Sequence, residues 1–472
     1  MALMRMTERS PRHAIRAFAA AFLAFAALAF APTPAKALGP HEIVLVVNEE
    51  SVDSIVLARV YKRLRSIPDS NLIRLSIPRN VYDGNSTAIS PADFTKYIWE
   101  PLDNAIERAG LTRQVLAVVF SCGFPTRVTT PEQISLTGAV FMRGKFPSAE
   151  IIKNGSYVSE LYAGPSSAEA PIEDSETFET SRSRLLSMMP LPAMMLSFTG
   201  TNGATVAKAI KQLERAAASD YTKPQGTVWI AKNEDIRSLH RHWQFAAVTN
   251  ALSKKSGFRA ILSTEQPSES DFPLSGYMTG SRTVNAPAFQ FVPGAFAEHL
   301  TSFGAAFHRP TQTKITEWLD NGAAFSSGAI EEPYAIWMKF PHACIFVHYA
   351  NGCTAIESFY QSVRCPLQTL PLGDPLANPW GEAIEVRIDA PEAPLSGLVE
   401  FNADILNERT DTFYRFQWLV NDILVSTGRT FVWDTRATAN GVHKIRLIAR
   451  HQLERVKPQG FAEIQVTVDN KK

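Results

Sequence analysis

The sequence has few cysteines, no sustained run of basic residues and only one long apolar segment. Its formal net charge is +1. The first 37 residues carry five Lys or Arg against one Glu, which leaves about −3 for the rest of the chain. Proteins that bind nucleic acid place clusters of Lys and Arg against the phosphates. The sequence therefore predicts that nucleic acid is not a partner.

The long apolar segment lies close to the amino terminus. Residues 17–31 are all Ala, Phe or Leu, and four arginines precede them. This run is shorter than the roughly 20 residues that a membrane span needs, and Ala35-Lys36-Ala37 offers the small-x-small pattern of a cleavage site. We predict a signal peptide over residues 1–37, and an exported protein of the periplasm or cell surface with no membrane span after cleavage. An uncleaved anchor is the alternative.

Cysteine is scarce, and its spacing does not match a common metal site. The four cysteines are Cys122, Cys344, Cys353 and Cys365. Export to an oxidising compartment favours a disulfide among the last three, and buried free thiols are the alternative. His342 and His348 lie near Cys344 and Cys353, but no Cys-x-x-Cys or His-x-x-x-His pair occurs. We predict no metal and no cofactor.

From residue 38 to residue 382, strand-like and helix-like segments alternate. Residues 43–47 are a continuous run of Ile, Val and Leu, as in a strand that is buried on both faces. Ser51 follows as a helix cap. Repeated βα units predict an α/β domain with a mostly parallel sheet covered by helices. Residues 145–190 are rich in Ser, Glu and Pro, and predict a long surface excursion.

The second half of this domain is predicted in more detail because it carries most of the candidate residues. We expect a strand over 274–279, a helix over 293–307, a second helix over 312–319 and a strand over 323–328. In α/β sheets, working groups stand at the carboxyl ends of the strands. The residues that follow these strands are therefore the first place to look for chemistry.

Beyond residue 382 the pattern changes to short alternating strands. Turn residues separate them at Asn421-Asp422, Thr427-Gly428 and Asn440-Gly441. The spacing predicts an immunoglobulin-like β-sandwich over residues 383–472.

Several segments, in order along the chain, carry a resemblance to a known family. They are residues 47–54, 123–127, 291–295, 299–303, 331–334 and 373–376. These segments resemble an uncharacterised family of exported bacterial proteins found with exosortase, a membrane transpeptidase proposed to sort surface proteins. The resemblance implies an accessory protein of the cell envelope whose partners are envelope or surface proteins or glycans. It implies no particular reaction.

More distantly, the layout is similar to gingipain-type cysteine peptidases, which have a caspase-like sheet. Those enzymes place a Gly-His-Gly after one strand and a Cys after the next. Here Gly280-Ser281 stands at the first position without a His, and residues 290–303 contain no Cys. A thiolate nucleophile needs both the sulfur and the base. The resemblance therefore implies a caspase-like fold without that activity.

Four side chains remain as candidates for catalysis. Ser302 is the hydroxyl nearest the missing Cys, and His299 shares its face if both lie on the predicted helix. No G-x-S-x-G elbow surrounds Ser302. Glu331 follows a predicted strand, and Asp374 precedes Pro375 near the domain end. As structural alternatives, His299 and Ser302 pack on a helix, and the acids form turns or ion pairs, Glu331 with Arg127 or Arg309.

Three further side chains are candidates for ligand binding. Asn48 and Ser51 follow the first strand, and Glu332 stands beside Glu331. Their alternative is turn and cap chemistry. Residues 200–205 precede a helix and offer either an anion site or a plain cap.

Three functions fit these observations. The first is an exported, non-catalytic accessory protein of the envelope that works with exosortase. The second is a hydrolase that uses carboxylates or Ser302 in a degenerate cleft. The third is a glycan- or protein-binding surface module.

Overall fold

The structure, a computed structural model, describes residues 33–470, which form two compact units. Of the described residues, one unit comprises 35–383 together with 453–459, and the other comprises 33–34, 384–452 and 460–470. Most of the predicted signal peptide, residues 1–32, lies outside the described residues. Within residues 33–470, none of the helices has both the length and the hydropathy of a membrane span.

The larger unit is an α/β domain. Strand β1 (Thr33–Lys36) comes first along the chain. The strands that follow in this unit are β2 (Ile43–Asn48), β3 (Leu72–Leu75), β4 (Ala88–Ile89), β5 (Ala117–Phe120), β6 (Arg127–Val128), β7 (Ile134–Ser135), β8 (Ala193–Met195), β9 (Thr227–Ala231), β10 (Arg259–Ser263), β11 (Leu274–Gly280), β12 (Phe291–Leu300), β13 (Phe325–Ala329) and β14 (Thr369–Gly373).

Ten of these strands form one sheet in the order β10-β9-β11-β12-β13-β14-β8-β5-β2-β3. Strands β9 to β13 are parallel to one another, and so are β2, β3, β5 and β8. Strand β14 lies between the two sets, where it is antiparallel to β13 and meets β8 at Leu372 and Met195. The predicted class, an α/β fold with a large and mostly parallel sheet, is confirmed.

Helices cover both faces of this sheet. They are α1 (Val52–Leu64), α2 (Pro91–Phe94), α3 (Glu100–Arg108), α4 (Leu136–Phe141), α5 (Ala149–Asn154), α6 (Phe178–Leu185), α7 (Val206–Ala218), α8 (Ile236–Leu239), α9 (His242–Ser253), α10 (Ile315–Asp320), α11 (Ile345–Ala350) and α12 (Ala355–Ser362). Leu45 and Val47 pack into one core, and Val44 and Val46 pack into another. Because successive strand residues face opposite sides, the continuous apolar run in β2 fills both cores.

One predicted helix is wrong. Residues 291–300 form the strand β12, and no helix covers residues 293–307. Residues 295–300 consist largely of good helix formers. Nine of the ten positions of β12 are buried, so the strand shows no alternation of apolar and polar residues. Parallel pairing with β11 and β13 outweighs the local propensity. The second predicted helix is present but shorter, as α10.

Residues 145–190 are more than a surface excursion. They contain α5 and α6, and Leu161, Phe178 and Leu185 belong to the main core. The Ser- and Pro-rich composition hid these isolated apolar contacts, because they follow no regular period.

The smaller unit is built from antiparallel strands. They are β15 (Val386–Asp389), β16 (Leu398–Ile405), β17 (Tyr414–Val420), β18 (Ile423–Ser426), β19 (Thr430–Asp434), β20 (Gly441–His451) and β21 (Gln459–Val468). One sheet runs β15-β16-β19, and β21, β20, β17 and β18 lie side by side in the other. Phe401 and Phe431 of the first sheet pack against Trp418 of the second, with ring centroids 6.2 and 5.7 Å from it. The predicted β-sandwich of antiparallel sheets is present.

Candidate functional site

Contacts between loops define one edge of the large sheet. Phe198, after β8, stacks on Phe307, which lies beyond β12, with ring centroids 4.4 Å apart. Arg127, beyond β5, lies 3.8 Å from Glu331, which follows β13. The carboxyl ends of strands from both parallel sets therefore meet at one edge, where the sequence places most of its candidates.

His299 and Ser302 do not form a catalytic pair. His299 lies on β12 and Ser302 in the loop after it, so they do not share the predicted helix face. The His299 Nε2 is 2.7 Å from the Ser281 carbonyl oxygen, and its Nδ1 has no hydrogen-bond partner. Ser302 Oγ is thus not bonded to the imidazole. Burial also lowers the pKa of His299 to about 4, so the ring is neutral and donates to Ser281.

Glu331 is enclosed by basic and amide side chains. Its carboxylate lies 3.1 Å from Arg309, 3.8 Å from Arg127 and 3.9 Å from His308, and accepts a 3.3 Å bond from Gln133. These contacts correspond to the structural alternative, in which Glu331 pairs with arginines. They join the loops after β5 and β13.

Glu332 is part of a local turn. Its Oε1 accepts a 3.0 Å hydrogen bond from the backbone N–H of Tyr334. Tyr334 has a φ of 59°, a left-handed conformation that this contact helps to hold.

Asp374 lies at the opposite edge of the sheet from Glu331. Strands β13 and β14 are antiparallel, with Phe325 opposite Gly373 and Ala329 opposite Thr369. Because Glu331 follows the end of β13 and Asp374 the end of β14, the length of a five-residue strand separates them, on the order of 15 Å. The two acids cannot act on one bond.

A buried network holds the Asp374 carboxylate. Tyr61 donates a 2.8 Å bond to Oδ1, the Leu376 N–H donates a 3.0 Å bond to the same oxygen, and Arg65 binds Oδ2. Arg65 also binds Asp220. Burial alone would lower the pKa of Arg65, but Asp220 and Asp374 raise it well above its usual value. Asp374 therefore has a structural role.

Asn48 and Ser51 form a turn and a cap. Asn48 Nδ2 donates to the Gly123 carbonyl at 2.8 Å, and its Oδ1 accepts from the Glu50 N–H at 3.2 Å. Ser51 Oγ caps α1 by accepting from the Ser54 N–H at 3.2 Å. Thr205 caps α7 in the same way, so residues 200–205 also match the cap interpretation.

The four cysteines are buried free thiols, so the expected disulfide is absent and the alternative holds. Burial raises the pKa of Cys122 to about 12 and that of Cys365 to about 11. Burial also lowers the pKa of His342 to about 3 and that of His348 to about 4. Among the described residues, no group of three or more His, Cys, Asp or Glu is arranged to hold a metal.

A cavity of about 430 Å³ lies elsewhere in the α/β unit. Several separate segments of that unit line it: Ala37, residues 174–175, Lys223, Lys255, residues 350–352, Asn378, Trp380, Glu382, residues 454–456 and Pro458. Such a volume is typical of a small-molecule site, for which about 300–1,000 Å³ is usual. We call it the Asn378 cavity after the amide in its wall.

The wall of the Asn378 cavity includes a chain of hydrogen bonds. Lys255 Nζ donates to Asn351 Oδ1, Asn351 Nδ2 donates to Ser175 Oγ at 2.9 Å, and Ser175 Oγ lies 2.8 Å from His348 Nδ1. His348 is buried and neutral, so it carries one N–H, and the direction of its bond to Ser175 depends on which ring nitrogen holds the proton. Burial lowers the pKa of Lys255.

The Asp374 network supports another part of the wall. Asp220 accepts a 2.9 Å bond from the Asn378 N–H, and the Tyr221 N–H donates to the Asn378 carbonyl at 3.0 Å. The Lys223 N–H donates to the Pro379 carbonyl at 2.9 Å. The motif at residues 373–376 thus leads directly into a fixed segment that carries Asn378 and Trp380 into the cavity.

Sequence reasoning missed these cavity residues. Asn378 and Trp380 lie just beyond residues 373–376, and this closeness in sequence was the available signal that they line a cavity. Lys255 and Asn351 reach the cavity only through the packing of α9 and α11, which no local pattern specifies.

Comparison with known proteins gives no family. No protein-family model matches the chain, and no curated protein matches it. Among solved structures, one described as "Structure of Protease" is 8% identical, covers 92% of this chain and 98% of its own, and has a TM-score of 0.46. An endo-β-1,4-mannanase from Thermotoga petrophila is 12% identical, covers 62% and 83%, and has a TM-score of 0.15. Neither likeness is close enough to inform the function.

Proposed function

We propose that this protein is an exported, non-catalytic recognition protein of the bacterial cell envelope that assists exosortase-dependent sorting. The resemblance carried by residues 47–54, 123–127, 291–295, 299–303, 331–334 and 373–376 supports the envelope and exosortase context. The amino-terminal run of residues 17–31 supports export. The Asn378 cavity supports recognition of a ligand.

One observation carries the non-catalytic part of the proposal: structural contacts already engage the candidate catalytic groups. His299 binds a carbonyl, Glu331 binds arginines, and Asp374 is enclosed at the other edge of the sheet. A serine hydrolase needs a base on its hydroxyl and an oriented oxyanion site. His299 does not provide that base for Ser302, which argues against the hydrolase alternative.

A genetic experiment tests the proposal. The gene is deleted from a bacterium that carries exosortase, and surface-sorted proteins are quantified by mass spectrometry of the outer surface. We expect these proteins to fall at the surface and to return when the parent gene is restored. A surface composition that does not change after deletion would contradict the role in sorting.

Two variants separate recognition from catalysis in the same strain. We expect S302A and E331Q to restore sorting as fully as the parent gene, because neither side chain performs chemistry. The purified parent protein is also assayed for hydrolysis of peptide, ester and glycoside substrates. Hydrolysis by the parent that S302A or E331Q abolishes would show the protein to be an enzyme, and failure of S302A to restore sorting despite normal folding would contradict the non-catalytic role.

A further inference from the structure

The charges around the Asn378 cavity balance. Its lining contains three cations, Lys223, Lys255 and Arg455, and three acids, Asp174, Glu382 and Glu454. Arg455 lies 3.5 Å from Asp174. A site for an anion or a cation shows an excess of the opposite charge. The balance therefore favours an uncharged, polar ligand.

Two polar atoms of the lining residues have no partner within the described part of the chain. Asn378 is 1% exposed, and its Oδ1 accepts no hydrogen bond although its Nδ2 donates to Gly352 at 3.1 Å. Trp380 Nε1 also has no acceptor. Buried polar atoms are nearly always paired, so these two are candidates for pairing with a ligand. One is an acceptor and the other a donor, and a hydroxyl group can serve both.

The segment that carries these atoms is held in place. Asn378 is fixed by Asp220 and Tyr221, and a Cβ on Gly381 would lie 2.5 Å from both Asn378 Nδ2 and Oδ1. The Trp380 ring is fixed by Tyr349 and Phe258, with ring centroids 5.1 and 5.3 Å away. Such preorganisation lowers the entropic cost of binding.

We propose that the Asn378 cavity binds an uncharged saccharide, with sugar hydroxyls on Asn378 and Trp380 and further hydroxyls on Asn351 and Ser175. An indole offers a broad apolar surface for a sugar ring beside its N–H donor. The inference rests on the proposed recognition function and names the class of its ligand. A volume of about 430 Å³ accommodates a short saccharide and excludes a long folded segment.

Isothermal titration calorimetry on the purified protein tests this proposal. The probes are neutral trisaccharides built from glucose, mannose or N-acetylglucosamine, each compared with trigalacturonate as the acidic counterpart. We expect at least one neutral trisaccharide to bind more tightly than trigalacturonate. N378A and W380F should each weaken that binding about tenfold, since each loses one buried hydrogen bond.

Two further variants keep the test decisive. W243F makes the same change at a tryptophan that packs on Trp337 and His342 and does not line the cavity, so its affinity should equal the parent's. G381A keeps every cavity side chain but crowds the Asn378 amide, so it should weaken binding even if N378A folds poorly.

The outcomes distinguish this proposal from the one on which it rests. If no neutral trisaccharide binds, if trigalacturonate binds more tightly, or if N378A, W380F and G381A all bind like the parent, the saccharide assignment is wrong. That result leaves the sorting experiment unaffected. Hydrolysis of a bound trisaccharide would instead overturn the non-catalytic proposal while leaving the saccharide assignment intact.

Discussion

Asp374 and Arg65 form an ion pair whose side chains are 0% and 1% exposed. The pair joins the end of β14 to the residue that follows α1, and Asp220 binds the same guanidinium. Arg65 thus binds two acids, and Tyr61 donates to one of them, Asp374. The other acid, Asp220, accepts a hydrogen bond from the Asn378 N–H and so connects the network to residues 378–380. The contacts of Asp374 therefore hold residues 378–380 in place.

Removing one member of this pair should be costly. In D374N the Arg65 charge stays buried with Asp220 alone, and we expect the free energy of unfolding to fall by about 3 kcal/mol. Urea denaturation of the parent and the variant measures this change. D320N is the matched control, since Asp320 pairs with Lys208 at the surface and its loss should cost about 1 kcal/mol or less. Equal losses in the two variants would contradict the structural role of Asp374.

His299 should make stability depend on pH in a defined direction. Its pKa is about 4 in the folded chain and about 6.5 when unfolded, so below pH 6.5 the unfolded state binds more protons. This stabilisation is complete above pH 6.5 and is lost as pH falls towards 4. Between pH 7 and pH 5 the parent should lose about 2 kcal/mol more than H299Q.

The control for this prediction is an exposed histidine. H240Q should follow the same pH profile as the parent, because His240 lies at the surface. Parallel profiles for H299Q and the parent would mean that folding does not lower the pKa of His299.

Two glycines separate backbone strain from steric overlap. Gly84 and Gly123 have φ values of 86° and 78°, but a Cβ on Gly84 meets nothing within 4 Å, whereas one on Gly123 lies 2.5 Å from Ser51 Oγ. G84A should therefore cost about 1 kcal/mol for conformation alone. G123A should cost roughly 1–3 kcal/mol more, because it displaces the cap of α1. If G84A and G123A had equal urea midpoints, the close contact between Gly123 and Ser51 would be contradicted.

The thiols should be unreactive until the chain unfolds. Burial raises the pKa of each cysteine, so the reactive thiolate is scarce and shielded. We expect iodoacetamide to label no cysteine in the native protein at pH 8 and all four in denaturant without reductant, as counted by intact mass. A mass with fewer than four labels in denaturant would reveal a disulfide.

The sequence predicted the parts of the fold whose signals are local. Residues 43–47 signal a strand because their apolar side chains serve two cores, and Ser51 signals a cap because its hydroxyl acts within one turn. Strand β12 was mistaken for a helix because its register depends on β11 and β13, which local propensity does not contain. His299 and Ser302 were paired on that mistaken helix.

The candidate site was predicted less well than the fold. Glu331 was placed correctly after a strand, but the strand before Asp374 was not predicted, and antiparallel pairing of β13 and β14 sends the two acids to opposite edges. That direction depends on contacts distant in sequence. Asn378 is an ordinary loop residue in the sequence, and only its burial with an unpaired oxygen distinguishes it.

The position of β14 also sets the order in which the sheet can be completed. Residues 43–195 supply one parallel set and residues 227–329 the other, yet residues 369–373 fill the gap between them. Pairing across so large a sequence separation is slow. While the ribosome is still making this region, β8 and β13 each present an open edge to which another chain can pair. A chain truncated before residue 373 keeps both edges open, so such fragments should aggregate.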